Sequence, residues 1–252
     1  KEMSIKYERF WDKFGSAENR FYAKPSFQFD VEDMKFKVNI IADYLGGSFD
    51  KNYFANNLEP MKYGFVNLGL NPNYSINKDG WAISLGANLF YSSDSVNTTG
   101  KFFVYPQVNA SLHVVDDLMI FYAGAEGGLV QNSNRIFTNE NPFLSPTNNI
   151  IPTDKQYDVF GGLKGKLSNA ISYNLKGSLI SEKYKPLFVA NDYSLSNPNM
   201  DGYAYGNSFQ VEYDNVKTLS FFGELKADFS KNVTFGINGT FSLFNLDLQE
   251  EA

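Results

Sequence analysis

Cysteine is absent from the 252 residues, and histidine occurs once, at position 113. The first absence removes disulfides, thiolate metal sites and cysteine nucleophiles. The second leaves no His-rich metal cluster and little material for an acid–base relay. Positive charge is also short: 22 Lys and Arg against 28 Asp and Glu give a net charge of −6. A protein that grips nucleic acid through its phosphates needs the opposite balance. No run approaches the roughly 18 consecutive apolar residues of a transmembrane helix. Helical periodicity is missing too, which excludes a parallel α/β fold. The residues that follow Lys1 contain no charged-then-apolar leader. An exported barrel then implies a leader already removed, or a start inside a longer protein.

Aromatic residues are abundant: 24 Phe, 16 Tyr and 2 Trp make up 17% of the chain, beside 20% charged residues. The mean hydropathy of −0.32 conceals them, because averaging over neighbours erases a pattern in which every second residue is apolar. That pattern recurs along the chain. Trp81, Ile83, Leu85, Ala87, Leu89 and Tyr91 alternate with Ala82, Ser84, Gly86, Asn88, Phe90 and Ser92. Val66, Leu68, Leu70, Tyr74 and Ile76 alternate with Asn67, Gly69, Asn71, Asn73 and Ser75. Successive side chains of a strand point to opposite faces, so each such segment has an apolar face and a small or polar one.

The alternation predicts ten strands, near 20–31, 35–49, 63–76, 81–93, 102–115, 119–132, 156–168, 171–184, 205–229 and 233–246. Tight turns are expected at Glu32-Asp33-Met34, Asn77–Gly80, Asp116–Leu118, Asn169-Ala170 and Ser230–Asn232, and longer polar loops at Asp50–Lys62, Asp94–Lys101, 133–155 and Lys185–Ala204. Short turns on one side and long loops on the other are the habit of bacterial outer-membrane barrels. Residues 205–229 read as one strand projecting above the membrane, with Phe209, Val211 and Tyr213 in phase with Leu219, Phe221 and Leu225. Pro25, Pro72 and Pro106 fall inside strands on the apolar parity, and each implies a bulge or a local break in pairing.

The fold class expected is therefore all-β, an antiparallel transmembrane barrel. The polar face is its lumen, lined by Lys24, Asp30, Lys37, Asp43, Asn88, Asn109, Glu126, Asp158, Lys164, Lys166, Lys176, Glu224, Lys226 and Asp228. Lys or Arg on the lipid face at mid-depth costs about 2–4 kcal/mol, so the ionisable set belongs inside. Phe36, Tyr44, Tyr74, Trp81, Tyr91, Phe102, Phe121, Tyr157 and Tyr173, with Phe21 and Phe29, lie near strand ends as interfacial girdles. A soluble sandwich or lipocalin-like barrel also alternates, but its apolar face must pack against itself, which suits a Gly- and Asn-rich second face less well.

Chemistry is sparse. His113 sits three residues before the turn at Asp116, where a lone lumen histidine reads as a hydrated polar residue, and Asp116-Asp117 is a turn former first. No enzyme and no cofactor are expected. Asp192 and Asp201, with Asn197 and Asn199, are a candidate calcium set in the 185–204 loop, but their spacing matches no EF-hand. Gly127-Gly128 and Gly161-Gly162 lie inside strands and suit close packing better than a phosphate cradle.

Tyr7-Glu8-Arg9-Phe10-Trp11, Ala42–Phe49, Asn141-Pro142-Phe143-Leu144-Ser145-Pro146-Thr147 and Val216–Leu225 resemble outer-membrane barrel proteins of flavobacteria (Bacteroidota), a group labelled TonB-dependent-receptor-like. The resemblance covers nearly the whole chain and the barrel portion only. It implies outer-membrane location, contact with membrane lipid and with envelope proteins through the long loops, and passage or uptake of a solute. The expected organisation is one barrel region over 1–252, with 1–19 a preceding loop or strand remnant, 20–246 the strands and no plug domain. The pattern departs from a 22-strand receptor in strand number, in the missing TonB box and in the ending Leu246–Ala252, so these residues are expected to be an interior part of a larger barrel. A structural or accessory subunit of a surface assembly is the alternative, and a soluble aromatic-rich module a third reading.

Overall fold

The computed structural model describes residues 1–31, 34–53, 59–115, 118–191, 206–230 and 233–246. The expected turns at 32–33, 116–117 and 231–232, the calcium candidates Asp192 and Asp201, and residues 247–252 lie outside them. Eleven strands form one sheet in sequence order, and every neighbouring pair is antiparallel. They are β1 (Glu2–Trp11), β2 (Ala17–Val31), β3 (Met34–Phe49), β4 (Met61–Lys78), β5 (Trp81–Asp94), β6 (Thr99–Val115), β7 (Met119–Val130), β8 (Thr153–Ser168), β9 (Ile171–Ala190), β10 (Phe209–Ser230) and β11 (Val233–Leu246), with a short helix α1 (Asn134–Glu140) between β7 and β8. The count exceeds the expected ten by β1, which lies within the stretch read as a loop or strand remnant. The sheet does not close on itself.

Register turns the alternation of single strands into continuous rows. Phe29, Phe36, Tyr74, Leu85, Val108, Ala125, Val159, Leu179, Leu219 and Leu243 stand side by side from β2 to β11. One residue away, and therefore on the other face, run Gln28, Lys37, Asn73, Gly86, Gln107, Glu126 and Asp158. The apolar face is the uncovered one: Leu85 is 50% exposed, Leu175 53% and Phe102 78%. Connections follow the same order. Lys78 pairs with Trp81 across Asp79-Gly80, where Gly80 at φ +86° takes the left-handed conformation that a two-residue hairpin demands. The connection after β5 is shorter than expected, with Asp94 pairing with Thr99 and its Oδ1 accepting from the amides of Val96 and Asn97 at 2.9 Å each.

The three prolines break pairing without a bulge. Pro25 pairs with Met3 of β1 but not with β3, Pro72 pairs with Val38 of β3 but not with β5, and Pro106 pairs with Ala87 of β5 but not with β7. On either side of Pro25 and Pro72 the register is unchanged. In an antiparallel strand the N–H and C=O of one residue point to the same neighbour. Three prolines of equal parity in strands of equal direction must then all lack a donor toward the following strand, which is where each ladder is interrupted.

The tenth strand corrects the expected phase. It is one strand, but its register with β9 shifts between Asp214 and Val216. The unmatched residue is on β9, where Lys183 and Tyr184 (φ +55°) stand opposite Asn215 alone. Beyond this bulge Val211 and Tyr213 turn to the polar face, where Val211 is buried in a cluster, while Leu219, Phe221 and Leu225 stay on the exposed face. A bulge does this because side chains alternate with period two. Deleting Tyr184, which removes the unmatched residue of β9, is expected to return Val211 and Tyr213 to the outer face and empty the cluster, read as faster protease cleavage within 131–152. Unchanged cleavage would show that the bulge does not set the phase.

Candidate functional site

The registers place every one of the expected lumen residues, from Lys24 to Asp228, on the polar face, and every expected girdle aromatic on the opposite face. The polar face is knitted locally. Arg20 grips Asp43 with Nε to Oδ1 at 2.9 Å and Nη2 to Oδ2 at 2.7 Å, a bidentate pair. Asn88 donates to the Gly127 carbonyl at 2.7 Å, Asn109 to Glu126 at 2.8 Å, Lys155 to Asp158 at 2.9 Å and Thr234 to Asp228 at 2.7 Å, while Lys226 meets Glu224 at 3.1 Å. Lys164 lies 5.5 Å from the Tyr122 ring centre and Lys176 4.2 Å from that of Phe160. His113 falls on this face near the short turns, paired in register with Ile120. Among the described residues, no three His, Asp or Glu converge on a common point.

At the long-loop end this face is not open. Residues 131–152, expected as a polar loop, fold across it as a strap. Ser133 caps α1 by accepting from the Ile136 amide at 3.1 Å. Buried Glu18 of β2 supplies the remaining acceptors: Oε2 takes the Asn134 amide at 2.7 Å and Oε1 the Arg135 amide at 3.2 Å, while Tyr63 of β4 donates its hydroxyl to Oε2 at 2.8 Å. Arg135 also pairs with Glu8 of β1. Asn67 donates to Gln131 at 2.6 Å. Farther on, Ser145 and Phe209 of β10 exchange backbone contact, with Ser145 N–H donating to the Phe209 carbonyl at 2.7 Å. The Tyr213 hydroxyl donates to the Asn149 carbonyl at 2.9 Å.

Under the strap lies a dry cluster on the otherwise polar face: Leu45, Phe49, Tyr63, Phe137, Ile150 and Val211, with Ile136, Leu144, Phe188 and Tyr213 against it. Phe137 meets Phe188 edge-on at 6.0 Å. Burial, and then the Glu18 charge, push the Tyr63 phenol far above its ordinary range; burial does the same for Tyr213. Both therefore stay protonated donors. Sequence reading missed Glu18, Tyr63 and the strap. A Ser133 cap, Ile136 and Phe137 within a polar stretch, and the Asn141-Pro142 stop were the available signals. A cavity of about 570 Å³ opens over the strap, walled by Phe14, Asp50, Tyr53, Phe143 and Leu144. Another, of about 460 Å³, lies near the short turns and includes Lys35, Ser84, Tyr122 and Lys164.

No family model matches the chain, and no curated protein matches it by sequence. Its fold is nonetheless shared with solved structures. The copper transporter OprC aligns over 92% of this chain and 38% of its own at 11% identity, with a TM-score of 0.60. The ferric yersiniabactin uptake receptor FyuA from Yersinia pestis aligns over 92% and 36% at 12% identity, TM-score 0.53. The ferripyoverdine receptor of the outer membrane of Pseudomonas aeruginosa aligns over 92% and 33% at 13% identity, TM-score 0.52. The chain thus spans about a third of each, and it has the fold of part of the β-barrel that these proteins share.

Proposed function

We propose that the chain forms part of a bacterial outer-membrane barrel that passes or imports a solute. The polar face is its lumen, the exposed apolar face meets lipid, and the strap restricts the outer mouth. The observation that carries this is the pair of adjoining rows, apolar across ten strands and polar from β2 to β8. Their spacing fits a membrane as well. From Trp81 to Tyr91 the strand advances ten residues, about 33 Å along the strand and about 25 Å once tilted, the height of an outer-membrane barrel's apolar band. The solved structures of like fold are described as a copper transporter and as receptors for ferric siderophores, which supports transport over an accessory structural role. The quoted segments from Tyr7 to Leu225 support a flavobacterial source of the TonB-dependent-receptor-like type, with the long loops available to other envelope proteins.

Because the chain contains no cysteine, single-cysteine variants report on faces without background. Ser84→Cys and Lys37→Cys are expected to react with a charged, membrane-impermeant maleimide in reconstituted barrels, and Leu85→Cys and Val108→Cys to resist it. Equal labelling of both sets would overturn the assignment of lumen and lipid faces.

Glu18→Ala leaves the Tyr63 hydroxyl and two α1 amides without their acceptor, an expected loss of about 2–4 kcal/mol in strap stability. The readouts are faster proteolysis within 131–152 and larger conductance of the assembled barrel in a planar bilayer, with Glu18→Gln, which keeps an acceptor oxygen, in between. Faster proteolysis at unchanged conductance would show that the strap does not close the mouth.

A further inference from the structure

We propose that the cavity near the short turns is an oxyanion site on the wall of the lumen. The inference rests on the lumen reading above and adds the class of ligand this wall accepts. Lys35 of β3 and Lys164 of β8 enter the cavity from opposite sides, and no Asp or Glu is among its walls. In a chain with net charge −6, a cavity with two ammonium groups and no carboxylate is a local reversal of sign. Carboxylates on the same face are engaged elsewhere. Asp30, opposite Lys35 in register, accepts from Gln28 at 2.9 Å; Glu126 accepts from Asn109, and Glu224 is held by Lys226. Among the described residues, no carboxylate stands within ion-pair distance of Lys35, Lys164 or Lys176.

The cations are held in place by aromatic rings. Lys164 rests over Tyr122, and Lys176, beside the cavity, rests over Phe160. An ammonium on a ring keeps its charge and its remaining N–H donors, so it is oriented without being neutralised. Between the lysines the floor is low. The Ser75 and Ser84 hydroxyls lie 3.0 Å apart and 2.9 and 2.8 Å from Asn73 Oδ1, a cluster in which Ser84 donates to Asn73 and Ser75 to one of the two. A phosphate or carboxylate group of a small solute suits such a cleft, bridged by ammonium groups on either side through charge-assisted hydrogen bonds.

The test uses the assembled barrel in detergent and inorganic phosphate as the probe. Calorimetric titration is expected to show binding that weakens roughly tenfold or more in the Lys35→Gln/Lys164→Gln double variant, the loss of two charge-assisted contacts. Lys226→Gln, on the same face but outside the cavity, is expected to leave affinity unchanged. Phosphate is also expected to slow maleimide labelling of Ser84→Cys, whereas potassium chloride at equal ionic strength is not. Labelling of Ser84→Cys with no phosphate binding, or with binding indifferent to the double variant, would overturn the oxyanion site and leave the lumen reading standing. Absence of labelling would overturn both.

Discussion

In an antiparallel strand a residue's side-chain face and the neighbour its backbone serves change together, and most of this structure follows from that coupling. It converts the alternation of ten short segments into rows that run unbroken from Phe29 to Leu243. It also decides where proline is tolerated. Pro25, Pro72 and Pro106 share a parity and a strand direction, so each removes a donor on the same side, and the opposite ladder carries through. For one strand to serve both an outer apolar face and an inner apolar cluster, its pairing must be broken by a bulge. The bulge is carried by the neighbouring β9, where Lys183 and Tyr184 stand opposite Asn215, and the two halves of β10 present opposite phases to the sheet.

The second ordering element runs against the first. A dry cluster of Leu45, Phe49, Phe137 and Val211 occupies the face that is polar everywhere else. It exists because the strap brings its own apolar residues and satisfies its own backbone. α1 has only seven residues, too few to hold themselves in water. Its free amides are met by Ser133 and by Glu18, and a carboxylate at a helix N-terminus is favoured by the helix dipole as well as by the bonds. Glu18 in turn is held by Tyr63, whose buried phenol stays protonated. The anchor points, from Glu8 on β1 to Phe209 and Tyr213 on β10, make the strap a chord across the mouth of the curved sheet.

The faces, most strand limits and the side of the short turns were legible because they depend on local periodicity. Trp81–Tyr91 and Val66–Ile76 carry their phase in their own residues. Val211 and Tyr213 were assigned to the wrong face for the same reason: counting by two along β10 cannot register a bulge carried by the neighbouring strand, at Lys183-Tyr184 of β9. The strap was hidden for a different reason. Glu18 meets Tyr63 across 45 residues and Asn134 across 116, and no short-range pattern announces such contacts. Within 131–152 the apolar residues Ile136, Phe137 and Ile150 stood among Asn, Thr and Pro, which outweigh them in composition but not in burial. Asp43 falls on the polar face, yet its partner Arg20, next to the predicted girdle residue Phe21, went unremarked.

The open edges bear on how such a sheet works. Eleven antiparallel strands leave β1 and β11 running in the same direction, and β11 is exposed along both faces. A direct seam between them would be parallel, unlike every ladder in the sheet, and unpaired ladder groups in hydrocarbon cost several kcal/mol each. Antiparallel closure takes an odd number of further strands, from the same polypeptide or another. The solved barrels of like fold are nearly three times as long as the aligned region, so room for such strands exists in that architecture. The strap crosses the long-loop end within these residues, and the lysine-flanked cleft lies near the opposite end, so under the function proposed above one continuous arc of wall would carry both a restriction and a binding site.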